Sequence, residues 1–207
     1  SDDADTRARV LLATGNAWYS EGAVENALQM WKQAKEEAEQ AHSAVLTAAA
    51  NIHLARGNLA EGSGQPEMSD TDRKKRAEES RATVLAAQKE LDGTVVYEAY
   101  AWRVLSLAEK ELGNTDAALQ AIDRAADIHD GEKFLEDAGY DWYIRASILS
   151  KAERYTEALP ALEEALRFDR RAENSAGTGR NWLAIGQVRN KRGDTEGART
   201  AWIRARD

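Results

Sequence analysis

Apolar positions along this 207-residue chain recur with helical spacing, and the helices they mark come in pairs. Trp102, Trp142 and Trp182 stand 40 residues apart, as do Ala118, Ala158 and Ala198, and again Ala125, Ala165 and Ala205. Ile122, Leu162 and Trp202 fall between those alanines at the same interval. Coincident columns at a fixed period are the mark of an internal repeat. Each period reads as two helices. The first carries the aromatic residue, over 97–112, 140–151 and 181–192. The second sets small residues beside large ones at i and i+4, which lets paired helices approach closely. Turn signals separate them at Gly113-Asn114, Glu153-Arg154 and Gly193-Asp194. The N-terminal half repeats the theme off the period. Leu11, Gly15, Trp18, Gly22, Ala27, Trp31 and Ala34 make one unit, and Leu46, Ala50, His53 and Gly57 open another.

Two runs carry a family pattern. Trp182-x2-Ile185-Gly186 is followed by Gly193-Asp194, Ala198-x3-Trp202 and Ala205. Leu11-x2-Thr14-Gly15-x2-Trp18 is followed by Ala27-x3-Trp31 and Ala34. Both resemble the tetratricopeptide repeat, with Trp18 where that pattern has tyrosine. The resemblance implies an all-α, right-handed α-solenoid forming a single domain over 1–207. Its helix-turn-helix repeats number about five, at roughly 7–41, 42–92, 97–130, 137–170 and 177–207. The family period is about 34, so about six extra residues per C-terminal repeat are expected between one repeat and the next. Lengthened repeats of this kind occur in peptide-sensing and scaffold members. Repeat two carries an insertion near 58–72, with an excess of roughly 18 residues after Gly57. Gly62-Ser63-Gly64-Gln65-Pro66 reads as loop. Ser69 with Asp72 reads as a capped helix start that Arg73 to Arg76 continues, and Ser80, Val84 and Ala87 align as the buried positions of that helix.

Composition narrows the function classes. Asp and Glu total 36 against 28 Lys and Arg, for a formal charge of −8. That balance argues against wrapping a nucleic-acid backbone. No apolar run approaches the roughly 18 residues that span a bilayer. There is no cysteine, which excludes disulfides and thiolate chemistry. The chain opens on Ser1 rather than methionine, so a trimmed leader or a longer parent chain is open, and localisation is unknown.

Candidate chemistry is sparse. His42 and His53 would lie about three helical turns apart, too far to share a metal. His53 reads as a packing residue. Asp127-Ile128-His129-Asp130-Gly131 misses the calcium-loop template and reads as a linker between repeats. Gly177-x-Gly179 lacks the strand and third glycine of a phosphate loop and reads the same way. The basic run Arg73 to Arg76 is followed by Glu78 and Glu79 and reads as a solvated helix face. Trp31, Trp102, Trp142, Trp182 and Trp202 read as core. No catalytic residue, metal site or cofactor is expected, and the reading is non-enzymatic.

In the family the first helix of each repeat lines a concave groove, so its free face is the candidate site. Read by period, that face presents Arg9, Asn16 and Tyr19, then Thr47 and Asn51. Tyr100, Arg103 and Leu107 follow, then Tyr140, Tyr143 and Ser147, and last Arg180, Gln187 and Asn190 beside Lys191. Asn16 and Asn51 take equivalent places, where the resemblance implies asparagines that grip a peptide backbone. Leu12, Tyr100 and Val104 stand where the resemblance implies the basic residues of members that clamp a carboxylate, so that specificity is expected to be absent. The function expected is a protein-interaction module holding a peptide or helix of a partner protein, acidic or aromatic in character. The alternatives are a self-associating scaffold working through its ends or convex face, and a peptide-sensing segment of a larger regulator. No capping helix follows the run Trp202 to Asp207, so the apolar edge of the last repeat is expected to be covered by a partner, by another copy (a homo-oligomer through the C-terminal repeat) or by sequence outside these 207 residues.

Overall fold

The computed structural model describes residues 2–60, 68–91 and 93–206. Among these residues it consists of consecutive helices, with no strand. They are α1 (Asp2–Ser20), α2 (Val24–Gln40), α3 (Ala44–Asn58), α4 (Asp70–Ala87), α5 (Val95–Leu112), α6 (Thr115–Gly131), α7 (Leu135–Lys151), α8 (Tyr155–Arg171), α9 (Ser175–Lys191) and α10 (Thr195–Arg206). They form two compact units, residues 1–112 and 113–207, whose boundary falls inside the repeat expected at 97–130. In the first unit α1 packs on α2, α2 on α3, α3 on α4 and α4 on α5. In the second, α6 packs on α7, α7 on α8, α8 on α9 and α9 on α10.

The turns explain the period. Gly22, His42, Gly93, Gly113, Lys133, Glu153, Glu173 and Gly193 all hold positive φ, between 54° and 83°. Apart from the step from 42 to 93, they follow each other every 20 residues. The residue after the left-handed one donates its N–H five residues back, as in Ser43 to Ala38, Phe134 to His129, Arg154 to Leu149, Asn174 to Asp169 and Asp194 to Arg189. This is the Schellman closure of a helix C-terminus. Helices α6, α7, α8 and α9 are each 17 residues long and α6 to α10 begin at 115, 135, 155, 175 and 195.

The length beyond the usual repeat therefore lies within the helices, not between repeats as expected. Consequently Asp127 to Gly131 is the last turn of α6, and Gly177 and Gly179 lie in the first turns of α9, not in linkers. Both glycine signals mislead because the true turn residues there, Lys133 and Glu173, are not glycine. A side chain in the left-handed region costs about 1–2 kcal/mol. Lys133→Gly and Glu153→Gly are each expected to raise unfolding free energy by up to about 1 kcal/mol in urea titrations, and Gly113→Ala to lower it by a similar amount.

Repeat two behaves as expected at its second helix. The Ser69 hydroxyl accepts from the Asp72 N–H at 3.1 Å and caps α4. Ser80, Val84 and Ala87 are buried, and the Ser80 hydroxyl donates to the Ala55 carbonyl at 3.1 Å. The step of 51 residues between left-handed positions 42 and 93 exceeds two 20-residue steps by 11, less than the roughly 18 expected from aligning the apolar columns. The loop at Gly62 to Pro66 lies outside the described residues.

Of the five tryptophans expected in the core, only Trp31 is fully buried. Its indole faces Gly15 and Gly57, which leave the room it occupies. Trp102, Trp142 and Trp182 are half-buried, and Trp202 is 39% exposed. The 40-residue column that goes to the interior is the adjacent one, Ala101, Asp141 and Asn181, all 0% exposed. The rings lie on its flank, where arginines cover them: Arg145 over Trp142 at 5.4 Å, and Arg204 over Trp182 at 4.8 Å.

Candidate interaction surfaces

In residues 113–207 the period brings three predicted residues together. Tyr140 and Tyr143, one turn apart on α7, stack with ring centroids 5.9 Å apart. Arg180 reaches from α9 and sets its guanidinium carbon 4.8 Å from one ring and 4.9 Å from the other. A second hold on Arg180 comes from behind, where its Nη2 lies 4.0 Å from Asp169. Burial raises the Tyr143 phenol above its ordinary pKa, with Tyr140 adding to the rise and Arg180 opposing it, so Tyr143 keeps its proton at neutral pH. Next to this cluster lies a cleft of about 200 Å3 between α7 and α9. Ala146, Leu162, Ala184 and Val188 make its apolar floor, and Tyr143, Ser147, Ser150, Tyr155, Gln187 and Lys191 its polar wall. No carboxylate lines it. Asn190 is exposed and does not line the cleft.

The predicted residues of unit 1–112 are more dispersed. Arg9 is tied to Asp5 at 2.8 Å along its own helix. Asn16 accepts a hydrogen bond from the Trp31 indole N–H at 3.2 Å. Tyr19 packs on Trp31 at 5.5 Å with Arg56 over its ring, and Tyr100 packs on His53 at 4.4 Å. Arg103 is buried, 6% exposed. Asn51 and Thr47 line a different, open cleft of about 710 Å3 with residues of α2 and α4. Asn16 and Asn51 are therefore not equivalent. Asn16 stands six residues before Gly22, as Gln187 does before Gly193, whereas Asn51 stands nine after His42, as Trp182 does after Glu173. The expected equivalence came from matching small residues, and the turns set a different register.

Sequence reasoning missed the buried polar pairs of the second unit. Where α6 meets α7, His129 Nδ1 lies 2.5 Å from Asp141 Oδ2, with both residues buried. Where α8 meets α9, the fully buried Asp169 accepts from Asn181 at 2.7 Å and from Asn174 at 2.9 Å. A Cβ on Gly177 would run into that carboxylate, and one on Gly139 would lie 3.1 Å from Asp169 Oδ1. The signal was available: 129 and 169, and 141 and 181, are 40 residues apart and polar on the face that points inward.

Burial raises the Asp169 pKa, opposed by Arg180 and by the two asparagine hydrogen bonds. The folded state therefore holds this proton more tightly than the unfolded chain, and the contribution of Asp169 to stability falls as pH rises past the ordinary carboxylate range. Asp169→Asn is expected to stay within about 1 kcal/mol of wild type at pH 7, because Asn181 Oδ1 has no partner and can accept once its amide rotates. Asp169→Ala strands the buried Asn181 amide and the half-buried Asn174 amide and is expected to cost about 1–3 kcal/mol, read from chemical denaturation.

Among the described residues no group of three or more His, Asp or Glu side chains could hold a metal, and no helix is long and apolar enough to cross a membrane. No protein-family model and no curated protein matches the sequence. Solved structures do match the fold. A Rap protein complexed with Competence and Sporulation Factor aligns with a TM-score of 0.74 and 11% identity over 96% of this chain, which spans only 53% of the Rap chain. A Podosopora anserina putative kinesin light chain with nearly identical TPR-like repeats aligns at 0.66 and 13% identity, covering 98% of this chain and 94% of that one. MamA protein aligns at 0.52 and 14% identity, covering 99% and 91%. The neighbours are tetratricopeptide-like helical repeat proteins, and the likeness is one of fold.

Proposed function

On this tetratricopeptide-like solenoid framework, we propose that the protein is a non-enzymatic interaction module that holds a peptide or helix of a partner protein. The observation that carries the reading is the α7–α9 surface, where a Tyr140–Tyr143–Arg180 stack borders an apolar-floored cleft with a hydroxyl-rich wall. Tyrosine and arginine are the side chains that most often dominate binding energy. A stack already assembled in the free protein loses little further side-chain freedom when a ligand arrives. Lys191 is the one charged residue of the cleft lining, in a chain of net charge −8. That favours a partner segment carrying carboxylates or an aromatic ring. The Rap neighbour, whose fold is similar, was solved with a bound factor, which makes ligand binding on such a framework reasonable without assigning that factor here.

The test is selection of peptides from a display library on the immobilised protein, followed by titration of the selected peptides against variants. Tyr143→Ala and Lys191→Glu are each expected to weaken binding about tenfold or more, the equivalent of about 1.4 kcal/mol. Peptides that bind both variants as tightly as wild type would remove the α7–α9 surface from the function.

A further inference from the structure

The first and last helix pairs share one register. Gly15 faces the Trp31 indole as Gly186 faces that of Trp202, and Gly22 and Gly193 hold the same left-handed conformation. Positions in α1 can therefore be compared directly with positions in α7 and α9.

Inside residues 113–207 one junction occurs twice, where the second helix of a pair meets the first helix of the next: α6 on α7, and α8 on α9. On the receiving side, Asp141, Ile144 and Ile148 of α7 are 0%, 3% and 1% exposed, and Asn181 and Val188 of α9 are 0% and 5%. The same register positions in α1 are Val10, Ala13 and Ala17. Val10 is 59% exposed, and both alanines are exposed. On the approaching side, Ile122 and Leu162 are buried, whereas the same position in α10 is Trp202, 39% exposed. Thus α10 and α1 display the two halves of a junction that is closed elsewhere in the molecule.

The halves also match in size and charge. Leu162 shares its cleft with Ala184 and Val188, whose register equivalents in α1 are Ala13 and Ala17. A large ring against two alanines repeats the large-on-small packing of Trp31 on Gly15. Asp169 meets Asn181 while Leu162 meets Val188, so the two helices run antiparallel. Continued one turn, that alignment sets the position of Arg199 opposite that of Glu21. Helix α10 carries three arginines and one glutamate, and Glu21, just past the end of α1, is exposed.

We propose that α10 of one copy docks on α1 of a second copy, reproducing between chains the junction that α8 and α9 make within one, with Trp202 laid on Ala13 and Ala17 and Arg199 facing Glu21. The contact is head-to-tail, so a dimer keeps one free α1 face and one free α10 face for further copies.

Sedimentation velocity over a dilution series tests it on the full chain. Wild type is expected to pass from monomer to dimer and larger species as concentration rises. Ala13→Arg, at an exposed position, should abolish this with its helical circular dichroism unchanged. Arg199→Glu should weaken association about tenfold, and Glu21→Arg added to it should restore most of the loss. Mixed in equal amounts at a concentration where neither associates alone, the Ala13→Arg and Arg199→Glu proteins should form a one-to-one complex, because each retains one native face. A protein monomeric up to millimolar concentration, association indifferent to Ala13→Arg, or a charge swap without rescue would each overturn the proposal.

Discussion

Replacing Trp31 by alanine is expected to cost about 3–5 kcal/mol of unfolding free energy, the largest effect of any single substitution proposed for this molecule. The ring has no exposed surface. It touches Tyr19 at 5.5 Å and His53 at 5.2 Å, and its N–H reaches Asn16 at 3.2 Å. Two glycines, Gly15 and Gly57, shape its pocket, and neither has a side chain that could swing in to fill the void. Three helices lose a common contact at once. Trp182→Ala removes a half-buried ring flanked by Arg170 and Arg204, and about 1 kcal/mol is expected there. Urea midpoints of the two variants at unchanged m give the comparison. Equal losses would mean that the 40-residue tryptophan column is interior after all, as its spacing alone suggests.

Acidification should destabilise the protein through His53, and His53→Phe should remove that sensitivity. Burial lowers the His53 pKa from 6.5 to about 3. Its ring lies between Trp31 and Tyr100 and its Nδ1 has no hydrogen-bond partner, so a charge there would be poorly solvated. Unfolded chains take up a proton at this residue below about 6.5, and the folded protein does not until about 3. The stabilisation is complete above the unfolded value and is lost as pH falls through that window, by up to about 1.4 kcal/mol per pH unit. Phenylalanine keeps a flat ring in the stack and cannot titrate. Unfolding free energy measured from pH 7 to pH 4 should fall more steeply for wild type than for His53→Phe. Asp169, whose effect has the opposite sign, is common to both proteins and cancels in the difference. Parallel curves would show that His53 charges freely in the folded state.

Much of this architecture was legible in the amino-acid order, and the failures share a physical cause. Helix pairs, the capped start at Ser69 and the buried Ser80, Val84 and Ala87 followed from apolar periodicity and cap chemistry. Turn placement did not. The left-handed positions are filled by glycine at 22, 93, 113 and 193 but by histidine, lysine and glutamate at 42, 133, 153 and 173. Backbone strain at a non-glycine residue leaves no letter to read. Depth was equally hidden: a period shows which residues share a face, not how far that face sinks, and the tryptophan column proved to be the neighbour of the buried one. In the candidate surface, Tyr140, Tyr143 and Arg180 were reachable because they lie at matching heights of α7 and α9. Asp141 and Asp169 were passed over because a carboxylate is ordinarily a surface residue. Only their partners, twelve residues away in each case, make them interior.

Those two partnerships bear on how a chain of near-copies assembles in the right order. Helices that resemble one another can pair with the wrong sibling, within a nascent chain or between neighbours in a crowded cell. In residues 113–207 the two seams carry different polar keys. His129 is matched to Asp141, and Asp169 to Asn181. An α8 that settled against an α7 of another chain in this manner would bury Asp169 against Asp141, two carboxylates with no proton donor between them. An α6 that found α9 would leave His129 facing an amide in place of an acid. Mispairing thus pays twice in desolvated, unmatched groups, whereas apolar seams would have accepted either neighbour. With different partners at positions 40 residues apart, these two seams would act as an address that favours the native order of the helices they join.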